Sequence, residues 1–329
     1  MYTEEDLNNA VKQDIFNQSA VDNFRQWTAS NNNTNHIDEE NFKLISSFND
    51  IFVVIACLLL LFSAGWWLNS MQDNSGYIAF PIIAWGLSEI FIRNKKMSLP
   101  AIVLLIAFIG GIFSLSTNLL SFSIADNLTI AASLSTLGAY LHWLRFKVPI
   151  TVAVGSVSLI GFLIALILST FPATENYLPP ILLTFGVITF GWAMFWDYAD
   201  IDRVTHKSDI AFWLHLVSAP LIIHPIFEML GLLDGNAGIG VLISVIALYV
   251  FMSLLSIAID RRAFIVSSLA YVLYAISSIL KTYGDIDYNF ALTGVLIGTT
   301  LLLLSAYWHQ TRKIILSLLP SSIKQYLAR

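Results

Sequence analysis

Ten apolar runs recur along the 329 residues, at approximately 50–69, 76–92, 99–120, 124–144, 148–171, 178–196, 210–232, 238–259, 263–281 and 289–309. Each is close to the roughly 17 to 25 residues that carry a helix across a bilayer. A water-soluble fold could not cover so much apolar surface. The chain is 57% hydrophobic and only 12% charged, with a mean hydropathy of +0.72, whereas an ordinary soluble domain is about 45–50% apolar and about 25% charged. In hydrocarbon every backbone N–H and C=O must find its partner within the protein, so runs of this length read as helices. The expected fold is all-α: a polytopic integral membrane bundle of ten transmembrane helices over residues 48–309.

The distribution of positive charge predicts how the bundle is oriented. Lys12, Arg25 and Lys43 precede the first run, and alternate connections hold Arg93, Lys95 and Lys96, then Arg145 and Lys147, then Arg203 and Lys207, then Arg261 and Arg262. Arg312, Lys313, Lys324 and Arg329 follow the last run, so sixteen of the 17 basic residues fall on one side and Lys281 alone on the other. Basic residues accumulate on the cytoplasmic side, which predicts both termini inside. Trp66, Trp67, Trp143, Trp196, Trp213 and Trp308 lie at span ends, where an indole suits the membrane–water interface. His142 and His309, each beside a tryptophan, read as anchors of the same kind. The opening "MYTEEDLNNA" is acidic where a secretory leader would be basic, so the first run is expected to act as the first anchor.

Two smaller segments flank the spans. Residues 1–47 read as a small cytoplasmic helical module, with capping-box patterns in "TEED" and "SAVD" and an Asn-rich break at "SNNNTN". So short a segment makes a marginal core, which suggests docking to a partner or to the membrane domain. Residues 310–329 set Ile314, Ile315, Leu318 and Leu319 against basic residues with no acidic one. That pattern fits a basic amphipathic interfacial helix on an anionic leaflet, or a surface helix packed on the bundle.

Ionisable groups inside spans are costly, by about 2.5–3.5 kcal/mol for Asp, Lys or Arg at a helix centre, and so become candidates for function. Glu89 lies one turn before Arg93, and a simple i, i+4 ion pair accounts for it as well as function does. The seventh run, "FWLHLVSAPLIIHPIFE" (212–228), carries His215, Pro220, His224, Pro225 and Glu228. On a straight helix His215 and His224 face opposite ways, about 13 Å apart in rise. The two prolines are expected to kink or break the helix between them. A break would free carbonyls near the midplane beside His224 and Glu228, which share a face at i and i+4. Such a group could hold a cation, a proton or an amine; the competing reading is a pair of neutral histidines bonded to neighbouring helices.

The segments "PIIAWGLSEI" and "PLIIHPIFEM" place Pro81 before Glu89 and Pro220 before Glu228 at the same separation. They belong to the second and seventh spans, corresponding members of two five-helix halves, and interrupted helices at matching positions of inverted repeats point to a transport site. Three identities in ten also fit coincidence. "DYADIDRVTHKSD" could hold a divalent cation or a lipid headgroup, but it lacks the glycine and terminal glutamate of a calcium loop and reads as a solvated connector. Cys57 is the single cysteine, and no phosphate-cradling loop, HExxH or nucleophile elbow occurs. No catalytic residue, metal site or cofactor is therefore expected, and no nucleic-acid partner.

"SDIAFWLHLVSAPLIIHPIFEMLG", "AIDRRAFIVSSLAYVLYAI" and the closing "LLLLSAYWH" before a basic tail resemble families of multi-pass inner-membrane proteins of proteobacteria. The amino-terminal module looks like the one that opens bacterial predicted membrane proteins of unassigned function. The resemblance implies a bacterial inner-membrane location and transfers no site residue. Ten spans in a five-plus-five arrangement are also similar to the drug and metabolite transporter architecture, an analogy of fold alone. The expected function is secondary transport or permeation of a small solute or ion through a path lined by His215, His224 and Glu228, with Glu89 as counterpart. The alternative is a non-transporting regulator, scaffold or assembly factor acting through a protein partner of residues 1–47.

Overall fold

The computed structural model describes residues 10–13, 15–31, 48–119, 123–201, 203, 205–231, 238–283 and 289–320, and among them there is helix and no strand. The "TEED" pattern, residues 32–35 of the "SNNNTN" break and residues 321–329 lie outside the described residues. The chain divides into two compact units, Met1–Asn41 and Phe42–Arg329. In the first, helix α1 spans Gln18–Asn31. Asn17 caps it, its Oδ1 accepting the Ala20 N–H at 2.7 Å and the Ser19 hydroxyl at 3.0 Å. The cap therefore falls two residues before the serine of the expected "SAVD" box, because Asn is at least as good a side-chain acceptor as Ser.

The second unit is a helical bundle. Its helices are α2 (Phe48–Met71), α3 (Ser75–Ser88, widening into a π-helical turn Glu89–Asn94), α4 (Ser98–Leu119), α5 (Ile124–Phe146) and α6 (Ile150–Thr170). A 3-10 turn, Pro172–Tyr177, leads into α7 (Leu178–Tyr198), followed by α8 (His206–Met229), α9 (Ile239–Ile259), α10 (Ala263–Tyr283), α11 (Asn289–Ala306) and α12 (Trp308–Leu318). Seven of these helices, α2, α3, α4, α6, α7, α8 and α9, are long and apolar enough to cross a membrane. This makes the protein a helical membrane protein. Among the described residues, Ala291–Ala306 of α11 and the whole of α12 meet the same test as a pair, bent by 78° at Tyr307. Each of the ten apolar runs forms a helix. However, α5 is diluted by Asp126, Asn127, Thr129, His142 and Arg145, and α10 is apolar over Ala263–Ser278 among the described residues.

Helix ends follow local chemistry. The Ser123 hydroxyl accepts the Asp126 N–H at 3.2 Å at the start of α5, and α9 ends with Asp260 in the left-handed conformation at φ 60°. Asp tolerates that conformation better than most side chains. Within hydrocarbon there is little hydrophobic drive between helices, so close packing of small residues and buried polar contacts hold them together. Gly186 on α7 is such a point, because a Cβ there would lie 2.9 Å from the Leu221 carbonyl oxygen of α8. Gly76 on α3 is another, since a Cβ would run into the Gly65 carbonyl of α2.

The basic connections gather at one end. Arg145, closing α5, reaches Glu89 at the end of α3. Trp143, Val152, Trp196, Ile210 and Trp213 pack in one cluster where α5, α6, α7 and α8 meet. Arg203, between α7 and α8, bonds to Asp260, between α9 and α10.

Candidate functional site

Helix α8 is a single uninterrupted helix from His206 to Met229 through Pro220 and Pro225. The helix is not broken between the histidines, although the prolines, lacking an N–H, leave the Leu216 and Leu221 carbonyls without their helical donors. Each proline removes one internal donor, a loss that packed neighbours and hydroxyl side chains can absorb in a membrane helix. Here α8 lies against α7 and α10. The side chains of Pro220 and Pro225 separate, the first exposed and the second buried.

The two histidines enter different surroundings, as their opposite faces require. His215 is fully buried, at 0% exposure, with Nε2 2.8 Å from Asp197 Oδ2 at the end of α7. The other carboxylate oxygen of Asp197 accepts from Arg261 Nη2 at 2.6 Å. The same guanidinium nitrogen donates to the Ser208 carbonyl and hydroxyl, each at 3.2 Å. A neutral His215 bonded this way carries its hydrogen on Nε2, and its Nδ1 has no partner among the described residues. Protonating Nδ1 would set a second cation beside Arg261.

A second set of charges adjoins the first. Arg203 Nη1 is 3.0 Å from Asp260 Oδ2, and Nη2 donates at 3.3 Å to the carbonyls of Ile259 and Asp260. Burial, and next the nearby Arg261 cation, hold the Arg203 guanidinium below the usual arginine pKa. Trp308 Nε1 donates to Asp260 Oδ1 at 2.8 Å, with Arg312 Nε 3.7 Å from the same oxygen. Asp200 accepts from the Thr205 N–H at 2.9 Å, the Thr205 hydroxyl at 2.7 Å and the Ser208 N–H at 3.3 Å, holding the start of α8. Ions removed from water are tolerable only when partners replace it. This network supplies those partners and ties together α7, α8, α9, α10 and α12.

Asp197 and Asp200 are therefore buried structural residues, which corrects the expectation of a solvated connector. No group of three or more His, Cys, Asp or Glu among the described residues is placed to hold a metal ion. Trp308 and His142 are corrected as well. The Trp308 indole is buried inside the protein. His142 is buried against Trp85, Phe108 and Phe146, with Nδ1 3.2 Å from the Thr151 hydroxyl. His309 is half-buried.

On the other face of α8, His224 and Glu228 stay half-open, with side chains 49% and 44% exposed and 3.9 Å apart. His224 Nδ1 lies 2.5 Å from the Tyr271 hydroxyl of α10. The Tyr271 ring packs on Phe227, with centroids 4.4 Å apart, which fixes the phenol beside the imidazole. Tyr271 was not singled out in the sequence. Its helical phase on the ninth run was the only available signal, and that names many residues equally.

Glu89 is engaged elsewhere. Arg145 grips it in a two-pronged contact at 2.7 and 3.0 Å, and Arg93, its expected partner, is 3.5 Å away. Paired forks of this kind fix orientation as well as charge. Among the described residues Glu89 pairs with Arg145 and Arg93, and Glu228 with His224. The structure thus brings together His224 and Glu228, separates them from His215, and gives Glu89 partners of its own. The sequence matches no protein-family model and no curated protein, and no solved structure matches the fold. Seven helices capable of spanning a membrane are what stands of the resemblance to inner-membrane families.

Proposed function

We propose that this protein is a secondary transporter or permease for a small solute or ion, with His224, Glu228 and Tyr271 as its binding station. The observation that carries the reading is the half-open His224–Glu228 pair joined to a tyrosine of α10, within a helix otherwise built for hydrocarbon. Ionisable groups are rarely kept at such positions unless they serve a path or a ligand. Imidazole, carboxylate and phenol together accept and donate hydrogen bonds in both protonation states of the histidine, which suits a proton, a small cation or an amine. The buried Asp197–His215–Arg261 network is read as a closed seal on the side of the basic connections.

The reading includes ten spans, both termini in the cytoplasm and a bacterial inner membrane, supported by the helix at each apolar run and the gathering of basic connections at one end. It also takes α12 as an interfacial helix, supported by its 78° turn away from α11. A five-plus-five inverted repeat is supported by the matched Pro81–Glu89 and Pro220–Glu228 spacing on α3 and α8.

The test is proton flux into proteoliposomes carrying the full chain, followed with an internal pH dye under an imposed potential. His224→Ala and Glu228→Gln should each abolish flux while leaving the protein monodisperse and helical; unchanged flux in both would remove the station. A second reading, a regulator or assembly factor acting through residues 1–47, is favoured by the division of the chain into two compact units. It expects deletion of residues 1–47 to abolish the cellular phenotype and the two point changes to leave it intact.

A further inference from the structure

A cavity of about 510 Å³ opens among α2, α3 and α4, on a part of the bundle that does not include α8. Ligand pockets for small organic molecules commonly run to about 300–1,000 Å³. It exists because one face of α4 is small, with Ala107, Gly110 and Ser114 lining it at helical spacing. Opposite them, Phe62 of α2 and Phe80 of α3 form an apolar wall, their rings 5.5 Å apart. The polar groups lie toward one end. Asn69 is near the close of α2, Tyr77 near the start of α3 and Ser114 toward the close of α4, all toward the α2–α3 turn. No charged side chain lines the cavity among the described residues.

We infer that this cavity is a binding site for a neutral membrane lipid, whose uncharged hydroxyl or ester head bonds at Asn69 and whose hydrocarbon tail lies against Phe62 and Phe80. Three features select that occupant over other membrane components. The gradient from amide and hydroxyl groups near the α2–α3 turn to aromatic and aliphatic surface farther along the helices matches an amphiphile lying along them. The uncharged lining offers nothing to replace the water around a phosphate, whose desolvation without a counter-charge is unfavourable. Entry needs no gate, because α2 exposes Ile55, Leu59, Phe62 and Trp66 along its surface and a lipid can move in sideways from the bilayer.

The close Gly65–Gly76 approach of α2 and α3 fixes the wall near the α2–α3 turn. Gly110 is different, because a Cβ there would meet nothing within 4 Å. A side chain at 110 would grow into the cavity and displace no protein atom from its first carbon. It would also remove a glycine from a helix interior, which favours the helix.

The experiment uses the full-length protein in nanodiscs containing a diacylglycerol with a diazirine in one acyl chain, with photolabelled peptides mapped by mass spectrometry. Labelling should fall on α2, α3 and α4, and unlabelled diacylglycerol in excess should compete while phosphatidylglycerol should not. Gly110→Trp should lower labelling at least about tenfold, the equivalent of about 1.4 kcal/mol of binding. Asn69→Leu should lower it about fivefold, the worth of one hydrogen bond. Gly110→Ala should keep it. Labelling of both Gly110→Trp and Asn69→Leu at the unmutated level would overturn the site. Equal competition by phosphatidylglycerol would overturn the selection for a neutral head, leaving a plain acyl groove. If Gly110→Trp fails to fold, Asn69→Leu and the lipid competition decide the matter alone.

Discussion

Two histidines nine residues apart on α8 meet opposite fates. His215 is sealed in a network in which each charge faces an opposite charge or a hydrogen-bond donor, whereas His224 stands half-open beside Glu228 and Tyr271. One helix therefore presents a structural face and a chemically available face, and its phase of 100° per residue determines which side chain joins which. The comparison teaches that an ionisable residue in an apolar segment is a candidate for function where it stays open to a ligand, as His224 does at 49% exposure, and a structural one where it is enclosed, as His215 is at 0%.

The sharpest way to break the contrast is Arg261→Ala. It would strand Asp197 in a buried site and should cost about 3–5 kcal/mol, the usual effect of removing one member of a buried ion pair. Thermal unfolding in detergent micelles measures this, and Arg261→Met combined with Asp197→Asn should recover much of the loss. Trp308→Phe should cost about 1.5–3 kcal/mol by deleting a bond to the Asp260 carboxylate. A smaller loss would show that α12 is not held by the network. Gly186→Ala should cost about 1–3 kcal/mol by overpacking against the Leu221 backbone, and the same melting assay reads it. At the other pole, His224→Ala should change stability by no more than about 0.5 kcal/mol, as at a half-open position without a buried partner network. A large loss there would erase the contrast.

The fold was largely legible and the site was not. Every apolar run became a helix because length and hydropathy are local properties, and of the kink or break expected at the prolines of α8 the break does not occur. Packing against α7 and α10 outweighs two missing hydrogen bonds. His142 looked interfacial because Trp143 and Arg145 flank it, but its own helical phase turns it toward Trp85 and Phe108 of other helices. Asp197 looked solvated because its counter-charge, Arg261, lies far along the chain, and Asp200 because its donors Thr205 and Ser208 converge on it only where α8 begins.

The amino-acid order alone determined that this is a chain of apolar helices with its cations on alternate connections, since hydrocarbon admits only segments that close their own hydrogen bonds. Tertiary structure alone decided which ionisable groups are spent. The Asp197–Arg261 contact joins residues 64 positions apart. Pairing at that distance depends on how helices dock, and docking in lipid turns on small-residue contacts and buried polar bonds that no short stretch of sequence contains.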